Sequence, residues 1–316
     1  MTYAKDNPHD KRHKALLSNK KSFISLLRDC INEPWAYELD EDSITKTENS
    51  FILQDFSEKE ADIVYEATLN GRKVIFYILL ELQSTVDHRM PYRLMLYIVE
   101  ILRHHYNHAD VNERDNKDFK FPVVLPIVFY SGKDTWTVPL NLCNMFSGHE
   151  AFGSYALDFK YMLVDAKGYD DDTLRGFSST LLGLVLMLEK AKNDVEFFSS
   201  LRDNLDAIAA MDSEEKRVLS MCVKIMDMAY GYNKGAAIGQ LLNENRVKEV
   251  DSMLCDVIQY TKVEREELMA RGELKGKLDA MLDVARKLLG MNMPIENIVM
   301  TTGLTANEIE ALRLQD

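Results

Sequence analysis

Cysteine is scarce in this sequence, and long apolar runs are missing from it. The four cysteines are far apart and form no CxxC pair, so we expect them to be buried thiols in a reducing cytoplasm. No apolar run approaches the roughly 20 residues that a membrane span requires. The N-terminal stretch carries charges without an apolar signal core. These features predict a cytoplasmic protein that is neither secreted nor embedded in a membrane.

Positive charge is also in short supply. The 38 lysines and arginines are outnumbered by 51 aspartates and glutamates, which gives a net charge of −13. This balance argues against a protein that coats nucleic acid indiscriminately, so a DNA-binding protein of this composition must gather its basic residues locally. Two clusters do so, although either is equally compatible with a solvated helix face. They are Lys11, Arg12, Lys14, Lys20 and Lys21 in the first, and Arg89, Arg93 and Arg103 in the second.

The stretch from residue 61 to residue 84 predicts a β-hairpin. Its first arm runs from Asp62 to Leu69, and Asn70-Gly71 supplies the turn because both residues tolerate positive φ. The second arm is almost wholly apolar until Glu81. A carboxylate at the end of a buried strand is costly unless it has a partner or a metal.

Strand register predicts a partner for Glu81. With a two-residue loop, Leu69 faces Arg72 and Asp62 faces Leu79, so Asp62 and Glu81 share one face as diagonal neighbours. A four-residue loop would place the two acids directly opposite one another on that face. A three-residue loop without a bulge would not place them on one face. Two converging carboxylates repel each other, and hard oxygen ligands of this kind suit Mg²⁺.

This arrangement resembles the PD-(D/E)XK nuclease superfamily in its D…E-X-Q variant. The ELQS stretch that begins at Glu81, followed by MPYRL at residues 90–94 and by Tyr97, resembles the Rpn family of recombination-promoting nucleases, also called transposase-like proteins. The PIVFYSG…W stretch from Pro126 to Trp136 resembles a further segment of that family. The resemblance covers roughly the first half of the chain and continues more weakly to the C-terminus.

The resemblance implies a Mg²⁺-dependent DNA endonuclease, with Mn²⁺ as a substitute metal. In such an enzyme Asp62, Glu81 and the backbone carbonyl of Leu82 hold the metal, which lowers the pKa of the attacking water. Gln83 stands where the motif has lysine, and its amide orients water or phosphate but cannot act as a base. Asp10, at the start of the first helix, is a weaker candidate for an outer acidic role. The candidate ligands for DNA phosphates are Arg93, Arg89, Lys11, Arg12 and Lys14.

The helix that follows the hairpin leaves two alternatives open. Arg93 is placed to hold a phosphate bidentately, or it simply pairs with Asp87 or Glu100. His104 and His108 lie four residues apart, as two metal ligands on one helix would. No third ligand follows at a suitable spacing, so a polar helix end is favoured over a zinc site.

The fold class that the whole chain predicts is α/β, with a restriction-endonuclease-like mixed-sheet core flanked by helices and followed by an all-helical C-terminal region. We expect a nuclease core over residues 1–168, a helical region over 169–260 and a helical tail over 261–316. Within the core, the patterns predict a helix over 10–30 broken at Ser18-Asn19, a polar loop at 40–42, strands at 50–57 and 157–165, and a central strand at 123–130 with a bulge or an edge at Pro126.

The tail ends in a small helix-turn-helix-like segment. Thr305 and Glu308 are spaced as a capping box for the final helix. That helix carries Glu308 and Glu310 but only Arg313, which is the wrong sign for binding phosphates. Packing or self-association is therefore favoured over DNA recognition, and we expect a homo-oligomer formed through the helical C-terminal region.

The leading hypothesis is a metal-dependent DNA endonuclease linked to recombination, mobile DNA or defence. The acidic charge, Gln83 and the large helical part motivate a second one, a non-catalytic regulatory or assembly protein built on a degenerate nuclease core. A third is a structural α/β protein whose hairpin acids face solvent.

Overall fold

A mixed five-stranded sheet forms the centre of the first part of the chain. The computed structural model describes residues 8–47, 63–81, 86–132, 134–177, 180–230 and 234–313. Strands β1, β2 and β3 are antiparallel neighbours, and β4 and β5 continue the sheet parallel to β3. The strands are β1 (Leu39–Thr47), β2 (Ile63–Leu69), β3 (Arg72–Glu81), β4 (Val123–Tyr130) and β5 (Met162–Asp165).

The β2–β3 hairpin has the predicted two-residue loop. Leu69 pairs with Arg72, and the antiparallel register continues without a shift to the pair Ile63–Ile78. Both loop residues have positive φ, 51° at Asn70 and 74° at Gly71. This conformation matches the right-handed twist of the flanking strands. The Asn-Gly pair is therefore enough to predict the two-residue turn.

The sequence does not predict the first described strand, β1. Residues 40–42 were expected to form a polar loop, which is wrong, because they lie inside β1. The register with β2 shifts between Asp40 and Thr45, so the acidic stretch forms a bulge. Ser43 stabilises the bulge, since its hydroxyl donates to the Asp40 carbonyl and accepts from the backbone N–H of Thr68. The predicted strand at 50–57 lies outside the described residues.

Pro126 occupies a position in β4 that the ladder tolerates. The pairing with β3 runs through Pro126 opposite Tyr77 without a bulge. The pairing with β5 begins only at Ile127. The proline therefore lies at a local edge on one side of an otherwise central strand, which is where a missing N–H costs least.

Helices cover both faces of the sheet, which explains the continuous apolar character of β3. On one face, Tyr77 and Leu79 pack with Leu94 and Tyr97 of the helix after the hairpin. On the other face, the Phe76 ring lies 5.4 Å from the Phe23 ring of the N-terminal helical segment.

The helices separate into those of the first compact unit, residues 1–254, and those of the second, residues 255–316, with one long helix crossing the boundary. Within the described ranges, no helix is long and apolar enough to cross a membrane. The helices are α1 (Pro8–Ser18), α2 (Lys20–Ser25), α3 (Met90–His108), α4 (Val111–Arg114), α5 (Asp171–Gly176), α6 (Leu181–Glu189), α7 (Asp194–Asp203), α8 (Leu205–Ala210), α9 (Ser213–Tyr230), α10 (Gly235–Asn243), α11 (Val247–Gly290), α12 (Ile295–Thr302) and α13 (Ala306–Arg313).

Two predicted helix boundaries are confirmed. The N-terminal helical segment breaks at Asn19, whose side chain caps α2 by accepting from the Ser22 N–H. In the second unit, the Glu308 carboxylate accepts from the Thr305 N–H at 2.8 Å, and the Thr305 hydroxyl accepts from the Glu308 N–H at 3.4 Å. This reciprocal pair is the capping box. The unit has its own small apolar core, which includes Ala285 and Ile298.

Candidate functional site

The carboxyl ends of three parallel strands meet at one edge of the sheet. The register places Glu81 of β3 beside Tyr130 of β4, and Tyr130 beside Asp165 of β5. In open α/β sheets, ligands bind outside the carboxyl ends of the strands. We call this row of residues 81, 130 and 165 the carboxyl edge.

The predicted metal ligands fall at the limits of the described residues. The backbone of Glu81 ends β3, but its side chain lies outside the described part of the chain, as do Asp62, Leu82 and Gln83. Within the described ranges, no three His, Cys, Asp or Glu side chains converge as a metal site would require. The predicted Mg²⁺ site therefore stays a prediction.

Tyr130 builds the wall of the carboxyl edge. Its side chain is buried, its hydroxyl donates to the Asp134 carbonyl at 2.7 Å, and its ring lies 5.0 Å from the Trp136 ring. Gly132 is required by close packing, because a Cβ at this position would overlap the Tyr130 ring. The conspicuous YSG…W pattern is therefore explained by packing around one tyrosine.

Arg89 and Arg93 meet at a single carboxylate where α3 begins. Asp87 accepts from Arg93 Nη1 at 3.0 Å, and from the backbone N–H and Nε of Arg89 at 3.0 and 3.2 Å. The Arg93 side chain is only 10% exposed, whereas that of Arg89 is 79% exposed. Of the alternatives for Arg93, the structure thus contains the pairing with Asp87, while Glu100 pairs with Arg103.

The charge state of Asp87 follows from these contacts. Burial acts to raise the pKa of Asp87, but the hydrogen bonds from Arg89 and Arg93 outweigh it and hold the pKa below the ordinary value of 3.8. The folded-state pKa is depressed, so the pair stabilises the fold fully above about pH 4, and this stabilisation is lost as the pH falls through the folded pKa.

Replacing Arg93 by glutamine should raise the pKa of Asp87 toward 3.8, because the substitution removes a charged donor. A carbon-detected NMR titration of the Asp87 carboxyl group would measure this. Arg103→Gln is a matched control, since Arg103 pairs with Glu100 on the same helix and does not contact Asp87. An unchanged Asp87 titration in Arg93→Gln would mean that Arg93 does not contribute to the lowered pKa of Asp87 in solution.

The N-terminal basic cluster divides into a buried and a more exposed part. Arg12 Nη2 and His13 Nε2 each lie 2.8 Å from Glu189 Oε1, and the three side chains are 6%, 2% and 8% exposed. Arg12 is thus committed to an ion pair that joins α1 to α6. Lys11 is exposed and Lys14 is half-buried on the same helix.

Helix α1 lies on the face of the sheet opposite α3. The His13 ring is 5.4 Å from the Phe129 ring, and Phe129 pairs with Leu80, the residue before Glu81. The buried part of α1 is therefore close to the carboxyl edge. Asp10 belongs to α1, but its side chain lies outside the described part of the chain.

Sequence reasoning missed two residues of this region. Nothing local signals that Glu189 binds Arg12, because the pairing depends on how α6 packs against α1. Asp165 was placed only as the end of a strand, and its alignment with Glu81 requires knowledge of the β3–β4–β5 order. Its Oδ1 accepts from the backbone N–H groups of Lys167 and Gly168, which orients the carboxylate at the strand end.

Comparison with known proteins identifies the family. A family model described as "Putative transposase, YhgA-like" matches residues 7–216, about two thirds of the chain. The chain belongs to this YhgA-like family. The match includes the hairpin, the carboxyl edge and the Arg12–Glu189 pair. The resemblance to the Rpn family that the sequence motifs indicate is thereby confirmed.

Named relatives of this YhgA-like chain are recombination-promoting nucleases. RpnC of Escherichia coli strain K12 is 26% identical over 169 residues, which is 53% of either chain. RpnA of the same strain is 22% identical over 310 residues, 96% of either chain, and RpnD of Escherichia coli O157:H7 is 24% identical over 141 residues, covering 45% of this chain and 51% of RpnD. The chain thus spans about half the length of RpnC and RpnD and nearly all of RpnA. No solved structure matches it.

Proposed function

We propose that this protein is a metal-dependent DNA endonuclease that acts in recombination, on mobile DNA or in defence against it. The names of its relatives support a nuclease, since RpnA, RpnC and RpnD are each called recombination-promoting nucleases. On this proposal the α/β sheet is a PD-(D/E)XK-type core, and DNA is the substrate.

The observation that carries the proposal is the register of the β2–β3 hairpin. Leu69 pairs with Arg72, which is the register of a two-residue loop. In this register, strand alternation predicts that Asp62 and Glu81 share one face as diagonal neighbours. Leu79, two residues before Glu81, lies on the face that α3 covers, and strand alternation predicts the same face for residue 81. The proposed site therefore opens toward the beginning of α3.

The proposed metal is Mg²⁺, with Mn²⁺ as a substitute. Asp62, Glu81 and the Leu82 carbonyl would hold it, because carboxylate and carbonyl oxygens are the donors this hard cation prefers. When bound, such an ion polarises the phosphodiester and lowers the pKa of a bound water. Gln83 orients water or phosphate by hydrogen bonds and carries no charge.

The side chains proposed to contact DNA phosphates differ in their exposure to solvent and in their existing ion pairs. Arg89 is largely exposed just before α3, and Lys11 is exposed on α1. To bind a phosphate, Arg93 has to break its ion pair with Asp87. One charge-assisted hydrogen bond is then replaced by another. Arg12 is buried and paired with Glu189, so it is not placed to bind a phosphate at the surface.

Removal of divalent metal is expected to abolish cleavage. Purified protein should nick supercoiled plasmid DNA in Mg²⁺ or Mn²⁺, lose this activity in EDTA and regain it when metal is returned. Asp62→Ala, prepared identically, should remain inactive in both metals. Equal nicking by the two proteins, or nicking that persists in EDTA, would remove the basis of the proposal.

A second candidate is a non-catalytic regulatory or assembly protein built on a degenerate nuclease core. The ion pairs of Arg93 with Asp87 and of Arg12 with Glu189 favour it, because two predicted phosphate ligands already have carboxylate partners. It predicts no Mg²⁺ or Mn²⁺ binding at the hairpin. Calorimetry that detects metal binding in the wild type and its loss in Glu81→Ala would exclude this candidate.

A further inference from the structure

A cavity of about 530 Å³ lies at the C-terminal end of α3, away from the carboxyl edge. Its lining includes His104, His105 and His108 of α3, and Glu66 and Lys73 of the hairpin. Arg93 and His108 lie on the same helix, and a rise of 1.5 Å per residue separates them by about 22 Å. The cavity is therefore a separate site. Its volume is in the range of pockets that hold small molecules, about 300–1,000 Å³.

Aromatic rings form one wall of the cavity. Phe119 lines it, and its ring contacts the rings of Tyr106 and Phe121 edge-on at 5.8 and 5.2 Å. The His105 ring lies 6.4 Å from Phe119, and the His104 and His108 rings stack at 4.0 Å. Rings held in this way offer flat surfaces on which another planar group can stack.

The charges of the cavity nearly cancel. Lys73 and Lys120 oppose Glu66, Glu113 and Asp118, and Lys73 is bonded to Glu66 at 2.9 Å. Burial lowers the pKa of His104, aided by His108, and burial also lowers the pKa of His105, aided by Lys73. The uncharged form of these two imidazoles is therefore favoured, and in that form each ring has one donor and one acceptor.

This lining excludes several ligand classes. Among the described residues of the lining, Ala109 and Phe119 are the apolar ones, so a hydrocarbon ligand would leave the polar groups unpaired. A polyphosphate would meet more carboxylates than ammonium groups. No three metal-ligating side chains converge here or elsewhere in the described residues. A neutral, planar ligand with donors and acceptors on its edge matches both the rings and the polar groups of this lining.

We propose that this cavity binds a nucleobase, either that of a free nucleoside or an unpaired base of a DNA strand, stacked against Phe119. The choice of a nucleobase over another neutral planar ring rests on the proposed action on DNA. The His105 ring, Nε2 of His108 and the side-chain NH2 of Asn116 would supply hydrogen bonds to the base edge. The His108 Nδ1 is already bonded to the His104 carbonyl, and the Asn116 Oδ1 accepts from the Asp118 N–H.

The test is an equilibrium titration of the full-length protein in EDTA, so that no cleavage occurs. Adenosine, cytidine and thymidine are titrated separately, followed by single-stranded oligothymidylate and an oligonucleotide in which abasic sites replace the bases. We expect saturable binding, and Phe119→Ala should weaken it about tenfold or more, which is the usual effect of removing a stacking partner. Phe152→Ala is the matched control, because Phe152 is 64% exposed and does not line the cavity.

Each outcome decides the proposal. Binding of nucleosides that Phe119→Ala weakens supports a free nucleoside as ligand, and binding of oligothymidylate alone, lost with abasic sites, supports an unpaired base. His108→Ala should also weaken binding, and this exposed residue provides a second variant if Phe119→Ala does not fold. No binding up to the solubility limit, or binding unaffected by both variants, overturns the proposal. Glu81→Gln should retain nucleoside binding, which separates failure of this inference from failure of the proposed nuclease activity.

Discussion

Glu81→Gln is expected to reduce Mg²⁺-dependent DNA cleavage about a thousandfold. The substitution keeps the shape of the side chain but removes the negative charge that a divalent cation needs. A metal supplies several kcal/mol of transition-state stabilisation, and each 1.4 kcal/mol corresponds to about a factor of ten in rate. Single-turnover nicking of plasmid DNA with excess protein would measure the chemical step directly. Calorimetry on the same sample would report the loss of metal affinity.

Glu249→Gln is the appropriate control for this experiment. Glu249 lies on α11, is 54% exposed and pairs with Arg246. Its substitution should leave cleavage within about twofold of the wild type, since surface ion pairs contribute little. Equal losses in both variants would indicate that the loss does not depend on the carboxylate of Glu81. Full activity in Glu81→Gln would show that this carboxylate does not hold the metal.

Glu189→Ala is expected to lower the free energy of unfolding by about 3–5 kcal/mol, because it leaves buried charge without a partner. Arg12 and His13 both lie 2.8 Å from the carboxylate, and all three side chains are almost inaccessible to solvent. The loss would loosen α1 from α6. Urea denaturation followed by circular dichroism would measure the change, provided that the denaturant slope stays constant.

The exposed pair of Arg202 and Asp251 provides the comparison. Its Nε–Oδ1 distance is 2.7 Å, but the two side chains are 45% and 47% exposed. Asp251→Ala should therefore cost less than about 1 kcal/mol. Similar losses in Asp251→Ala and Glu189→Ala would mean that burial does not govern the strength of the Glu189 cluster. Glu189→Gln, which keeps the acceptor but not the charge, should fall between the two.

Local chemistry determined which elements the sequence predicts well. Asn70-Gly71 defines its turn through φ alone, Asn19 breaks a helical segment by capping the next helix, and Thr305 with Glu308 forms a capping box. Each signal depends on residues within four positions of one another. Such interactions depend on neighbouring residues and not on the tertiary structure, so they can be recognised from the sequence alone.

Tertiary packing determined what the sequence does not predict. Residues 40–42 have the composition of a loop, yet pairing with β2 draws them into a bulged strand. Arg12 belongs to a basic cluster in the sequence, but folding turns it toward Glu189. The metal ligands are a different case, because Asp62, Leu82 and Gln83 lie outside the described residues and their roles stay predictions.

The two-residue hairpin loop has a consequence for how this family can change length. If the loop keeps two residues, adding or removing one residue at Asn70-Gly71 would shift one strand by a single position and exchange its two faces. Tyr77 and Leu79 would leave the face of α3, and the proposed alignment of Asp62 with Glu81 would be lost. We therefore expect natural length variation in this loop to occur in steps of two residues, or to be accompanied by a compensating bulge in the adjoining strand.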